Sequence, residues 1–160
     1  MTESLSKYER NLSATIHAST FSRFFIPFGN FILPLVLWMG NRKDNPFVDY
    51  NGKQALNFQI SILLYSVILC MITVPLFFGF LPGIFEGSMF DMRDFDHMNS
   101  INIHYDSDWY RVGRLFWPLG ILGLLQFALF LINIVYSIIA TLRTNEGIHF
   151  SYPITIKFIK

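Results

Sequence analysis

Apolar residues fall into three long stretches, Phe24–Met39, Ala55–Leu81 and Leu115–Leu142, with polar segments between them. The second and third each exceed the roughly 20 residues that carry a helix across a bilayer. The first is different, because Pro27, Gly29, Asn30 and Pro34 interrupt it. Leu12 to Trp38 is 27 residues. One straight helix of that length measures about 40 Å, against a hydrocarbon core of about 30 Å, and two full passes need about 40 residues. The pattern therefore predicts two short helices, 12–25 and 31–40, joined at a break made by Pro27, Gly29 and Asn30. Pro27 lacks an amide donor and disfavours helix at Ile26, while Gly29 and Asn30 tolerate turns. Full-length helices follow over 55–81 and 115–142. The predicted fold is an all-α integral membrane protein with four transmembrane helical segments, the first two a Pro/Gly-broken hairpin. All of it forms one membrane domain, residues 1–160, with a loop at 86–114 and a tail at 143–160.

Composition agrees. Of 160 residues, 52% are apolar and 14% charged, where a soluble domain carries about 25% charged. A net charge of +1 gives no reason to expect a nucleic-acid partner. The single cysteine, Cys70, cannot form an internal disulfide. The polar start "MTESLSKYERNLS" does not read as a cleavable signal peptide.

Basic residues set the orientation. With four passes, the two tails and the first loop share eight Lys and Arg residues, and the second loop holds three. With three passes the split is six against five. The positive-inside rule favours four passes, both termini in the cytoplasm of a bacterial inner membrane. Arg23 belongs to neither count, being placed near the outer interface. Trp109, Tyr110 and Trp117 flank the fourth helix as an aromatic belt.

Each helix carries a polar stripe: Ser13, His17 and Thr20 on the first; Gln54, Asn57 and Ser61 on the third; Gln126, Asn133 and Ser137 on the fourth. His17, Asn57, Ser61, Gln126, Asn133 and Ser137 together predict a polar interior. It serves either interhelical hydrogen bonding or a hydrated path. No Asp or Glu falls inside a predicted span, which argues against proton-coupled transport. Ala14, Ala18 and Ser22 recur every fourth residue and permit close helix approach, either within the hairpin or against a partner. The loop residues Asp91, Asp94, Asp96, His97, His104, Asp106 and Asp108 match no EF-hand or zinc spacing. No nucleophile elbow or acid pair appears. The expectation is a protein with no catalytic residues, no metal and no cofactor.

"IHASTFSRFFIPFGNFILPLVLWMGNRKDNPFVDYNGKQALNFQIS" and the ending "NEGIHFSYPITIKFIK" resemble a bacterial membrane family that includes the MamF-like magnetosome proteins. That family is distantly related to the twenty-kilodalton Tic subunit of the chloroplast inner-envelope translocon. The resemblance implies four helices, both termini inside, and roles in membrane-complex assembly or protein translocation. It supplies no catalytic residues. The acidic segment 86–114 is longer than in the family pattern. In the motif segments, Asp49 or Asn51 is expected to cap the third helix, whose start is placed near 52–55, and Gly147 to end the fourth. The tail "PITIKFIK" reads either as a strand or as an interfacial segment. The function expected is a non-enzymatic accessory or assembly subunit whose partners are the lipid bilayer and other membrane proteins or itself. The alternative is a small pore or carrier for a solute or peptide.

Overall fold

The structure, a computed structural model, describes residues 5–86 and 108–160, with side chains over 5–78 and 117–160. Its elements are α1 (Lys7–Ala18), a 3-10 helix (Ser19–Phe24), α2 (Gly29–Asn41), α3 (Pro46–Glu86) and α4 (Asp108–Asn145), followed by an irregular tail. Among the described residues the class is all-α, with four α-helices. Two stretches, Pro46–Phe78 of α3 and Trp117–Asn145 of α4, are long and apolar enough to cross a membrane.

Helix boundaries depart from those read off the apolar runs. α1 starts earlier, because Ser6 and Glu9 form a capping box: the Glu9 amide donates to Ser6 Oγ (3.2 Å), and the Ser6 amide donates to Glu9 Oε2 (2.8 Å). The Ser6 amide and the Ser6 hydroxyl, both donating to Oε2, hold the exposed Glu9 carboxyl below its usual range. α1 also ends earlier, at Ala18, where the chain tightens into the 3-10 helix. α3 begins at Pro46, since the first helical position has no use for an amide proton, and not near 52–55. α4 begins at Asp108, so Pro118 lies inside it and not in its first turn. Residues 108–114, expected in the loop, open α4. The remaining loop residues 87–107, with Asp91, Asp94, Asp96, His97, His104 and Asp106, lie outside the described residues, while Asp108 opens α4.

The turn of the interrupted region is made by Phe28, which adopts the left-handed conformation (φ 59°) as N-cap of α2. Gly29 is already helical, and its lack of a side chain answers a different need. A Cβ there would stand 2.6 Å from Ser22 Oγ and 2.8 Å from the Ser22 carbonyl. Gly52 is similar, because a Cβ would run into the Trp38 ring. Helix ends are tied as well: the Tyr8 hydroxyl donates to Asn41 Oδ1 (3.0 Å), and Trp38 Nε1 donates to Asp49 Oδ1 (2.9 Å), while Asp49 Oδ2 pairs with Lys53 (2.6 Å).

The chain divides into two compact units, Met1–Tyr65 with Leu129–Lys160, and Ser66–Ala128. The first holds two apolar clusters. One is built on Ile16, Trp38, Val48, Ala55 and Leu56, the other on Phe58, Ile62, Ala140 and Tyr152. In the second unit most described side chains, among them Met71, Phe78, Leu124 and Phe127, are apolar and exposed.

Candidate functional site

The first unit encloses polar side chains from every element, organised as three networks. The first centres on His17. Asn51 Nδ2 donates to the Phe47 carbonyl (2.9 Å), which fixes the amide orientation and leaves Oδ1 as an acceptor. Thr144 Oγ1 donates to that oxygen at 3.3 Å, and His17 Nε2 faces it at 3.3 Å. Nε2 therefore carries the proton, and Nδ1 accepts from the Tyr152 hydroxyl at 2.9 Å. Burial keeps the Tyr152 phenol protonated far above its ordinary range, with the neighbouring Ser137 hydroxyl pulling weakly the other way. Tyr152 also stacks on Phe58 at 4.1 Å between centroids. α1, α3, α4 and the tail thus meet at one node.

The second network docks the tail on α3. Asn57 Nδ2 donates to the Ile159 carbonyl (3.0 Å), and its Oδ1 accepts from the amides of Phe158 (3.1 Å) and Ile159 (2.8 Å). One turn on, Ser61 Oγ accepts from the Ile156 amide (2.9 Å), and after another turn the Tyr65 hydroxyl donates to the Ile154 carbonyl (2.9 Å). Side chains at four-residue spacing thereby satisfy backbone groups of a segment without secondary structure. The tail is neither a strand nor separate from the helices. It enters this path through Ile154 in the left-handed region (φ 53°).

The third network lies beside the turn. Gln59 Oε1 accepts from Asn30 Nδ2 and Asn133 Nδ2, both at 3.0 Å. Asn133 Oδ1 accepts from Arg23 Nη1 at 3.1 Å. The Arg23 guanidinium lies 5.3 Å from the Phe24 ring centroid and 5.0 Å from that of Phe130.

Of the residues singled out in the sequence, His17, Asn57, Ser61, Asn133, Ser137 and Asn30 all belong to or border these networks. Pro27 is exposed at the turn, and Gly29 packs on Ser22. Gln126 is in none of them; its Nε2 donates to Ser66 Oγ (3.1 Å) in the second unit. Arg23, Asn51, Gln59, Thr144 and Tyr152 had no role in the polar interior read from the sequence. The available signal was the density of polar residues on every face of "NGKQALNFQIS", which marks a helix enclosed all round instead of one with a single polar stripe. The small residues Ala14 and Ala18 line an open groove of ≈ 340 Å³ together with Asn11, Thr15, Thr141 and Asn145.

A model of the magnetosome magnetite crystal formation protein family (MamF/MmsF) matches residues 8–159. Neither a curated protein nor a solved structure matches the chain. The chain belongs to the MamF/MmsF family, and its two long apolar helices fit a small membrane protein.

Proposed function

Proceeding from that membership, we propose that the chain is a non-enzymatic accessory or assembly subunit of a complex in a bacterial inner membrane, with a part in magnetite crystal formation. Remote kinship with the Tic subunit would extend the role to protein translocation. The observation that carries the reading is how the polar interior is used. His17, Asn51, Asn57, Gln59, Ser61 and Asn133 bond to other elements or to the tail backbone. They build a scaffold, and a scaffold of this size presents surfaces to partners.

The same ties support a particular architecture, a hairpin that enters the membrane and turns back. Lys53 and Arg143 mark the basic boundary. The His17 node sits beside them, at Asn51 and Thr144. From that node to the Arg23–Gln59–Asn133 layer there are three independent paths. His17 to Arg23 is about 12 Å of mostly 3-10 helix. Asn51 to Gln59 is about 12 Å, and Thr144 to Asn133 about 16 Å, of α-helix. Back down α2, Asn30 to Trp38 is again about 12 Å. All four agree on a turn near half the roughly 30 Å core. Its exposed residues, Phe24, Phe25, Ile26 and Phe28, suit hydrocarbon at that depth. On this reading the hairpin is re-entrant and α3 and α4 are the crossing helices. Both termini and the 42–45 connection remain on the cytoplasmic side, as the charge count favours.

Gentle extraction followed by identification of co-purifying membrane proteins tests the role. A strictly monomeric particle with no membrane partner would contradict it. A second reading, a hydrated path for a small solute or peptide, is favoured by one observation: Ser13 Oγ, Gln59 Nε2 and Ser137 Oγ are buried without a hydrogen-bond partner of good geometry. Solute flux in liposomes that falls with Asn133→Leu would support the path over the scaffold.

A further inference from the structure

We propose that Arg23 is the centre of an anion site at the hairpin turn, and that its ligand is the phosphodiester of a phospholipid. The inference rests on the mid-depth reading of the hairpin.

Three observations converge on Arg23. Its guanidinium stays charged at any physiological pH. The two salt bridges among the described residues are Lys53–Asp49 and Arg143–Glu146, and neither involves it. The layer around it is also rich in donors and short of acceptors. Asn133 Oδ1 takes one guanidinium N–H, Gln59 Oε1 takes two amide donors, and the buried Gln59 Nε2 is left with no partner. An environment of that kind favours an anion.

Geometry narrows the anion. Asn133 holds Nη1, and the Phe24 and Phe130 rings lie close beside the guanidinium. The fork still has N–H groups to offer, and paired coplanar oxygens fit it best. The neighbouring side chains Phe24, Phe25, Ile26 and Phe28 are exposed and apolar, so what surrounds the site is lipid. An arginine at this depth draws headgroups and water inward by local thinning of the bilayer. The phosphodiester of the adjacent leaflet is the nearest group with two free oxygens.

The test uses full-length protein, purified in detergent, stripped of lipid and melted against three additives. Dioctanoyl phosphatidylglycerol should raise Tm saturably. Dioctanoylglycerol, with the same chains and no phosphate, should not, and neither should sodium phosphate. Arg23→Gln should weaken the lipid response about tenfold, the cost of one charge-assisted contact. Arg42→Gln, at the base near Trp38, should leave it unchanged. Arg23→Lys keeps the charge but loses the fork, so it serves even where the glutamine variant does not fold. It should respond several-fold more weakly. A wild-type response in Arg23→Lys and Arg23→Gln, an equal shift with dioctanoylglycerol, or a full shift with sodium phosphate alone overturns the proposal. So does an Arg23-dependent cross-link to a carboxylate of another protein with no response to phospholipid. A spin label on Phe25→Cys reads depth separately. An interfacial label with Arg23-dependent lipid binding overturns the mid-depth reading alone. A mid-depth label with Arg23-independent binding overturns the site alone.

Discussion

The two ends of the described part of α3 differ in what covers them. Between Phe47 and Ile62 most side chains are buried, including Asn51, Gln54, Asn57, Gln59 and Ser61. Between Leu63 and Phe78 most are exposed, and polar residues thin out to Tyr65, Ser66 and Thr73. One helix serves two solvents. Where protein encloses it, polar groups find partners; where lipid surrounds it, few are tolerated. Polar density along a membrane helix therefore reports what covers it, and the enclosed half is where this chain keeps its chemistry.

That contrast is sharpest with matched glycines. Gly29 is buried against the Ser22 backbone, which cannot move aside as a flexible side chain would, while Gly123 faces open space. Gly29→Val should lower the stability of the detergent-solubilised protein by about 3 kcal/mol, the upper end of overpacking. Gly123→Val should stay within about 0.5 kcal/mol. Thermal or denaturant melts of both compare them directly, and equal effects would dissolve the distinction between enclosed and lipid-facing halves.

Amides give the next largest difference. Asn57→Ala removes three bonds to the tail and strands backbone groups of Phe158 and Ile159. The expected loss is about 2–3 kcal/mol, with faster proteolysis of the C-terminus. Gln126→Ala breaks one bond, to Ser66, and should cost about 0.6 kcal/mol, the average for such contacts in membranes. Trp38→Phe deletes the bond to Asp49 and should cost about 1 kcal/mol. One effect has the opposite sign. Ile154 is exposed and holds a left-handed backbone, which costs a side-chain-bearing residue roughly 1–2 kcal/mol. Ile154→Gly should raise stability by about 1 kcal/mol, provided the tail keeps its path on α3.

Much of the fold was legible because its signals are local. Length and hydropathy identify the two long helices, and Gly147 ends α4 with a left-handed backbone as its position suggested (φ 85°). The capping box at Ser6 and Glu9 and the helix start at Pro46 were equally local, but they lie in polar segments that a search for apolar runs passes over. The networks are another matter. His17 and Tyr152 stand 135 positions apart, and no periodicity links an imidazole to a phenol across that distance. The docking of the tail is hidden for a related reason: Asn57, Ser61 and Tyr65 bind backbone groups, which a tail of any sequence would carry. Arg23 was expected near the outer interface, and the mid-depth turn proposed above moves it inward. What it approaches depends on Asn133, which only the folded chain brings close.

The proposed re-entrant hairpin stands or falls on the depth of its turn, and one measurement addresses it. A nitroxide on Phe25→Cys, in a Cys70→Ala background in bilayers, is compared for accessibility to oxygen and to a water-soluble nickel chelate. Asp44→Cys, in the exposed connection between α2 and α3, supplies the aqueous reference. Leu64→Cys, about 16 Å along α3 from Lys53, supplies the mid-bilayer reference. A mid-depth turn gives an oxygen-dominated signal at position 25, close to that of position 64. A chelate-dominated signal, close to that of position 44, would place the turn at a water interface and contradict it.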